Sequence, residues 1–136
     1  MTTRLSIGLW PPSANTIWRN LKGQTVLSKQ ARQFYRNAPW MIKLQAKAKV
    51  YEIGQALEVS LVLRPPDKRP YDIDNRAKAV LDALTKSGVI ADDRQVRKLT
   101  LEKADPIQGG QVLVEIAEYA SEKEPSIGQR ARAENA

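Results

Sequence analysis

The sequence predicts an α+β fold: a small mixed, mostly antiparallel sheet with two main helices packed on it, in the order β-β-α-β-α-β-β. Three observations predict it. Short segments near both ends of the chain alternate apolar and polar residues, two longer segments repeat apolar residues at helical spacing, and prolines or glycines mark the joints. At 136 residues the chain can build one core and not two.

Leu5, Ile7 and Leu9 alternate with Arg4, Ser6 and Gly8 as a first strand. Trp10-Pro11-Pro12-Ser13 ends it, because neither proline can donate to a ladder. Lys22-Gly23-Gln24 reads as a turn and Thr25-Val26-Leu27 as a short strand. Ser28 then caps a helix from Lys29, with Ala31, Phe34, Tyr35, Ala38, Met41 and Ile42 on its apolar stripe. Pro39 lies inside this stripe and is expected to kink the helix or split it. Leu57, Val59, Leu61 and Leu63 form the clearest strand, ended by Pro65-Pro66. A second helix runs from about Asn75 to Ser87, stopped by Gly88, and Val89-Ile90 reads as a short return strand. Leu99 and Leu101, then Val112, Val114 and Ile116, alternate in two last strands. Asp105-Pro106 and Gly109-Gly110 lie between them and suggest an antiparallel pair. Residues 1–120 are thus expected to form one domain, and 121–136, poor in apolar residues, a flexible tail.

Composition narrows the chemistry. With no cysteine and no histidine, disulfides, thiolate nucleophiles, structural zinc sites and histidine bases are all excluded. An enzyme here must use carboxylates, lysine, arginine, hydroxyls and an oxygen-loving metal such as magnesium or manganese. No apolar run is long enough to cross a membrane or serve as a signal peptide, so the expected compartment is the cytoplasm. The net charge is +7, and residues 1–51 hold nine lysines and arginines with no acidic residue at all. One-sign charge over that length argues for a polyanionic partner.

The acids that follow are concentrated. Asp72 and Asp74 lie two apart where extended chain enters the second helix, so alternation turns both carboxylates to one side. Lys78 and Asp82 continue at four-residue spacing, and Asp92-Asp93 come after the return strand. Phosphodiester cleavage needs a hydroxide near neutral pH and a sink for charge on the scissile phosphate. Without histidine, divalent ions held by aspartates are the natural source of both, and a nearby ammonium such as Lys78 can offset charge on the phosphate. The same residues also suit plainer roles: Asp74 a helix N-cap, Asp72 a turn former, Lys78–Asp82 an exposed ion pair. What favours chemistry is acid set among Arg64, Lys68, Arg69, Arg76, Arg94, Arg97 and Lys98.

Asp72-Ile-Asp74-Asn75-x-x-Lys78-x-x-x-Asp82-Ala-Leu-Thr85-Lys-x-Gly88, with Asp92-Asp93-x-x-Val96, resembles the signature of the RusA-type Holliday junction resolvases. Trp10-Pro-Pro-Ser13, Asn15 and the Ser28 helix start resemble that family's opening segment, so the likeness covers roughly residues 5–118. It implies a homodimeric, magnesium-dependent endodeoxyribonuclease that nicks four-way DNA junctions symmetrically. Asp72, Asp74 and Asp93 match the family's metal-binding catalytic acids, and Lys78 its catalytic lysine. Pro39 and Tyr71 depart from the family pattern.

Arg19 and Lys22, with Asn15, are expected in a loop suited to phosphates, and Lys68, Arg69 and Arg76 beside the acids are further candidate DNA contacts. Trp10, Trp18 and Trp40 suit either base stacking or core and interface packing. A non-catalytic basic DNA-binding or architectural protein is the rival reading, and cleavage of branched DNA with magnesium separates the two. An RNA-binding module is disfavoured, since no aromatic RNA-binding signature is present.

Overall fold

The computed structural model describes residues 2–120. Strand β1 spans Thr2–Ile7, β2 Trp18–Leu21, β3 Gln24–Leu27, β4 Leu57–Arg64, β5 Val96–Lys103 and β6 Gln111–Glu118. Helix α1 spans Lys29–Ala46 and α2 Ala77–Ser87. Three single 3-10 turns, Ala14–Thr16, Ile73–Arg76 and Asp93–Gln95, sit at the joints. The α+β class stands, and the order gains one strand, β2. The segment 121–136, expected as a tail, lies outside the described residues.

The main sheet has the order β1-β6-β4-β5, with β6 antiparallel to both β1 and β4, and β4 parallel to β5. The expected antiparallel pairing of the last two strands is therefore wrong. The crossover through α2 returns the chain parallel to β4 on one edge, and β6 then enters between β4 and β1. Alternation alone could not reveal this, because it reads the same in both kinds of ladder. Leu5, Ile7, Leu57, Val59, Leu61, Leu63, Val112, Val114 and Ile116 face one side of the sheet and are buried. Against them pack Phe34, Ala38 and Ile42 of α1 and Ala77, Val80, Ala83 and Leu84 of α2. The other face carries Arg4, Ser6, Glu58, Ser60 and Glu115, none of them buried.

Helix α1 begins where the Ser28 hydroxyl accepts from the Ala31 amide at 3.2 Å. It runs through Pro39 without splitting. Pro39 lies on its half-exposed side, where water can serve the carbonyl that proline leaves without a donor. Gly88 ends α2 with φ 87°, a conformation that costs glycine little. Val89-Ile90 contributes only one bridge, between Tyr51 and Ile90, and both are buried. The unexpected strand β2 pairs with β3 across Lys22 (φ 50°) and Gly23 (φ 77°), the two left-handed residues of a tight hairpin turn. All of β2 is exposed, so no buried face left a pattern in the sequence. No described helix is long and apolar enough to cross a membrane.

Candidate active site

The acids of interest are held at the two ends of α2. Asp72 is extended (φ −81°, ψ 134°) just ahead of the Ile73–Arg76 turn that leads into the helix. It makes no side-chain cap, and its Oδ2 instead accepts from Asn75 Nδ2 at 3.3 Å. Asp72 and Asp74 are exposed, and among the described residues the Asp74 carboxylate has neither a hydrogen bond nor an ion pair. On the helix, Lys78 Nζ lies 3.6 Å from Asp82 Oδ2, which also accepts from the Tyr35 hydroxyl of α1 at 2.9 Å. Burial first, and then this bond to Asp82, push the Tyr35 phenol well above its ordinary value. Asp82 therefore ties the two helices together.

Asp93 is elsewhere. It opens the 3-10 turn that follows the far end of α2 and precedes β5. Since α2 has 11 residues, about 16 Å of helix axis separates the two ends. The Asp72 end is marked by Lys103, the last residue of β5, whose Nζ donates to the Tyr71 carbonyl at 2.6 Å. The Asp93 end is marked by Gln95, buried against the start of the sheet. Its Oε1 accepts from the amides of Ala91 (2.8 Å) and Asp92 (2.9 Å), and its Nε2 donates to the carbonyls of Glu52 (2.6 Å) and Gln55 (3.1 Å). One chain does not bring Asp93 to Asp72 and Asp74, and among the described residues no three acids could hold one metal ion. The expected single cluster fails because β5 runs parallel to β4: its start, where Asp93 sits, lies at the opposite end of the sheet from the loop after β4.

Neighbouring Asp92 is structural. It caps the turn by accepting from the Arg94 amide at 2.8 Å and pairs with the Arg94 guanidinium at 3.0 Å. Those bonds hold its carboxyl down to about 2.

The chain's aromatic and basic residues divide similarly. The turn Ala14–Thr16 packs against Ile73–Arg76, so the β2–β3 hairpin rises beside the Asp72–Asp74 pair. Arg19 lies on strand β2 of this arm rather than in a loop, Lys22 is in its turn, and both are exposed. Lys68 is exposed on the loop after β4, and Arg69 is exposed but forked onto Asp67 at 2.8–3.2 Å. Arg76 points inward: its Nη1 donates to the Pro11 carbonyl at 2.8 Å, and its guanidinium stacks 5.3 Å over Trp10. Trp10 meets Tyr71 edge-on at 5.1 Å. Trp10 is thus an anchor, whereas Trp18 and Trp40 are 59% and 64% exposed.

A family model described as endodeoxyribonuclease RusA matches residues 10–117. The chain belongs to the RusA family. Similar relatives include the crossover junction endodeoxyribonucleases RusA of Enterobacteria phage 82, of Shigella sonnei (strain Ss046) and of Escherichia coli (strain K12). Each is 35% identical over 115 residues, spanning 83% of this chain and 92% of the relative. The span matched to RusA takes in Asp72, Asp74, Lys78 and Asp93, together with the hairpin arm. Within this chain, sequence reasoning missed Gln95 and Lys103. Asp92-x-x-Gln95 is a capping-box spacing and would have flagged Gln95. Lys103 could be placed only once β5 was known to be parallel.

Proposed function

We propose that the chain is a divalent-metal-dependent endodeoxyribonuclease that resolves four-way DNA junctions by paired symmetric nicks, working as a homodimer in the cytoplasm. The observation that carries this reading is the open acidic pair Asp72–Asp74 at the base of a basic arm, in a chain of the RusA family. The similar relatives are crossover junction endodeoxyribonucleases by name. Two solvent-facing carboxylates, with no histidine or cysteine in the chain, suit magnesium or its substitute manganese. When bound, such an ion supplies an activated water near neutral pH and neutralises charge on the scissile phosphate.

Asp72 and Asp74 would hold the ion, with Asn75 fixing the Asp72 carboxylate. Lys78, leaning on Asp82 but mostly exposed, offers its ammonium to the phosphate or the leaving oxygen. Arg19, Lys22, Lys68 and Arg69 grip flanking phosphates. Asp93 takes part by coming from the second subunit, because a two-fold axis can set the end of one α2 beside the beginning of the other.

The test is complementation on a four-way junction with magnesium. Asp74→Asn and Asp93→Asn homodimers should each be inactive yet still bind the junction. Mixed, they form heterodimers with one intact site, which nick a single strand. No rescue on mixing would place each site within one chain. No nicking by the unaltered protein would leave the non-catalytic DNA-binding reading.

A further inference from the structure

We propose that a cleft between α1 and the end of α2 takes an unpaired nucleotide of the DNA, its base stacked on Trp40 and its phosphates held by Arg36, Lys43 and Lys86. The proposal rests on the nuclease reading for its ligand, and adds a site that none of the aspartates Asp72, Asp74 and Asp93 lines.

The cleft has a volume of about 280 Å³ and is lined by Tyr35, Arg36, Pro39, Trp40 and Lys43 of α1 and by Lys86 of α2. Trp40 leaves most of its indole in water, and Lys43 Nζ stands 5.7 Å from the ring centroid. Lys86 Nζ lies 4.8 Å over the Tyr35 ring in the same manner. Arg36, Lys43 and Lys86 are all exposed, and none forms an ion pair among the described residues. Helix α1 has no acidic residue, and the one acid of α2, Asp82, is engaged by Lys78 and by the Tyr35 hydroxyl. The cleft therefore joins a bare aromatic face to uncompensated positive charge. A nucleotide matches both, its base the ring and its phosphates the cations.

Pro39 adds an acceptor. It has no N–H to give to the Tyr35 carbonyl four residues back, which leaves that oxygen open to an N–H on the edge of an unpaired base. A protein partner would instead favour a broad apolar face. Leu44, 75% exposed one turn past Trp40, does not line the cleft.

The cleft also lies on a route from the site of cutting. Lys78, Asp82 and Lys86 follow at four-residue spacing, so Lys86 stands about 12 Å of helix axis beyond Lys78. A strand whose scissile phosphate meets Lys78 covers that distance in about three to four nucleotides.

Binding of a fluorescein-labelled oligothymidylate tests the site, followed by anisotropy in excess chelator so that nothing is cut. Trp40→Ala should weaken binding about tenfold, the loss of one stacked base, while Trp40→Phe keeps most of the affinity. Leu44→Ala should bind as the parent does. Parental affinity in Trp40→Ala overturns the proposal. Equal losses in Trp40→Ala and Leu44→Ala overturn it too, as does a polyglutamate peptide whose binding needs Trp40 as much as the DNA does, since either describes a protein-docking face. If Trp40→Ala loses its far-ultraviolet dichroism, Lys86→Gln decides: it should lower the log–log salt slope by about one, and a parental slope overturns the proposal. Nicking of a four-way junction by the parent protein with magnesium is scored separately. Oligothymidylate binding through Trp40 without nicking supports the cleft and sinks the nuclease reading, while nicking with no dependence of binding on Trp40 does the reverse.

Discussion

Asp92 and Asp93 are neighbours in sequence with opposite environments. The Asp92 carboxylate is consumed locally, bonded to the backbone and guanidinium of Arg94. Those bonds favour its ionised form and lower its pKa, so its stabilising effect is complete above the ordinary carboxylate range of about 3.9 and fades as pH falls through about 2. Asp92→Asn should therefore lower the urea midpoint at pH 6, and the difference should shrink below about pH 4 and be lost below pH 2. A gap of undiminished size at pH 2 would mean the bonds to Arg94 are not its source. Residue roles were partly legible in the sequence. The D-x-D spacing announced the exposed pair, and the Lys78–Asp82 ion pair stands, whereas the aspartate whose side chain caps a turn is Asp92 and neither Asp72 nor Asp74. Arg76 was not legible as an inward residue, because its partner Trp10 arrives from a segment 66 positions away in the chain.

At the scale of elements, the turn carrying Asp93 has almost no hydrophobic anchorage and is held by Gln95. That one buried amide ties residues 91–92 to the carbonyls of Glu52 and Gln55. Gln95→Ala would leave several buried backbone groups without partners, at a cost of about 2–3 kcal/mol. We expect it to lower the unfolding midpoint and also to slow junction nicking more than it weakens junction binding, since Asp93 loses its support. Unchanged nicking in a destabilised variant would show that Asp93 needs no such anchoring. The helices and β4 were readable from periodicity because each buries one clean face. Strand β2 was not, being exposed throughout, and the partner of β5 was not, because pairing direction leaves no mark on a strand's own alternation. The β4-α2-β5 succession did carry the signal for a parallel pair, through the helix that separates its strands.

On the scale of the whole molecule, charge is segregated along the chain: residues 1–51 have nine cations and no acids, and the full chain sums to +7. In the fold Arg19 and Lys22 stand on the hairpin arm, and Arg32, Arg36 and Lys43 of α1 and Lys47 at its C-terminal end are exposed. Binding to DNA should therefore weaken steeply with salt, with a log–log slope of roughly −0.9 per phosphate neutralised. Linear duplex and four-way junction should show similar slopes, so that preference for the junction comes from shape. A shallow slope for the junction in filter binding would assign its affinity to base contacts instead.

The sheet order has one more effect. Among the described strands β1 pairs only with β6, and Arg4 reaches across to Glu115, an ion pair spanning 111 positions. Of the four strands of this sheet, β1 is made first and is the last to find a neighbour. Until β6 has emerged from the ribosome, β4 also keeps one side open, and the apolar faces of both helices lack half the surface they cover. The nascent chain thus waits, with its basic segment already exposed to nucleic acid, for its final strand to close the fold. A chain interrupted before Gln111 has its aspartates and its cations but no closed sheet to hold them.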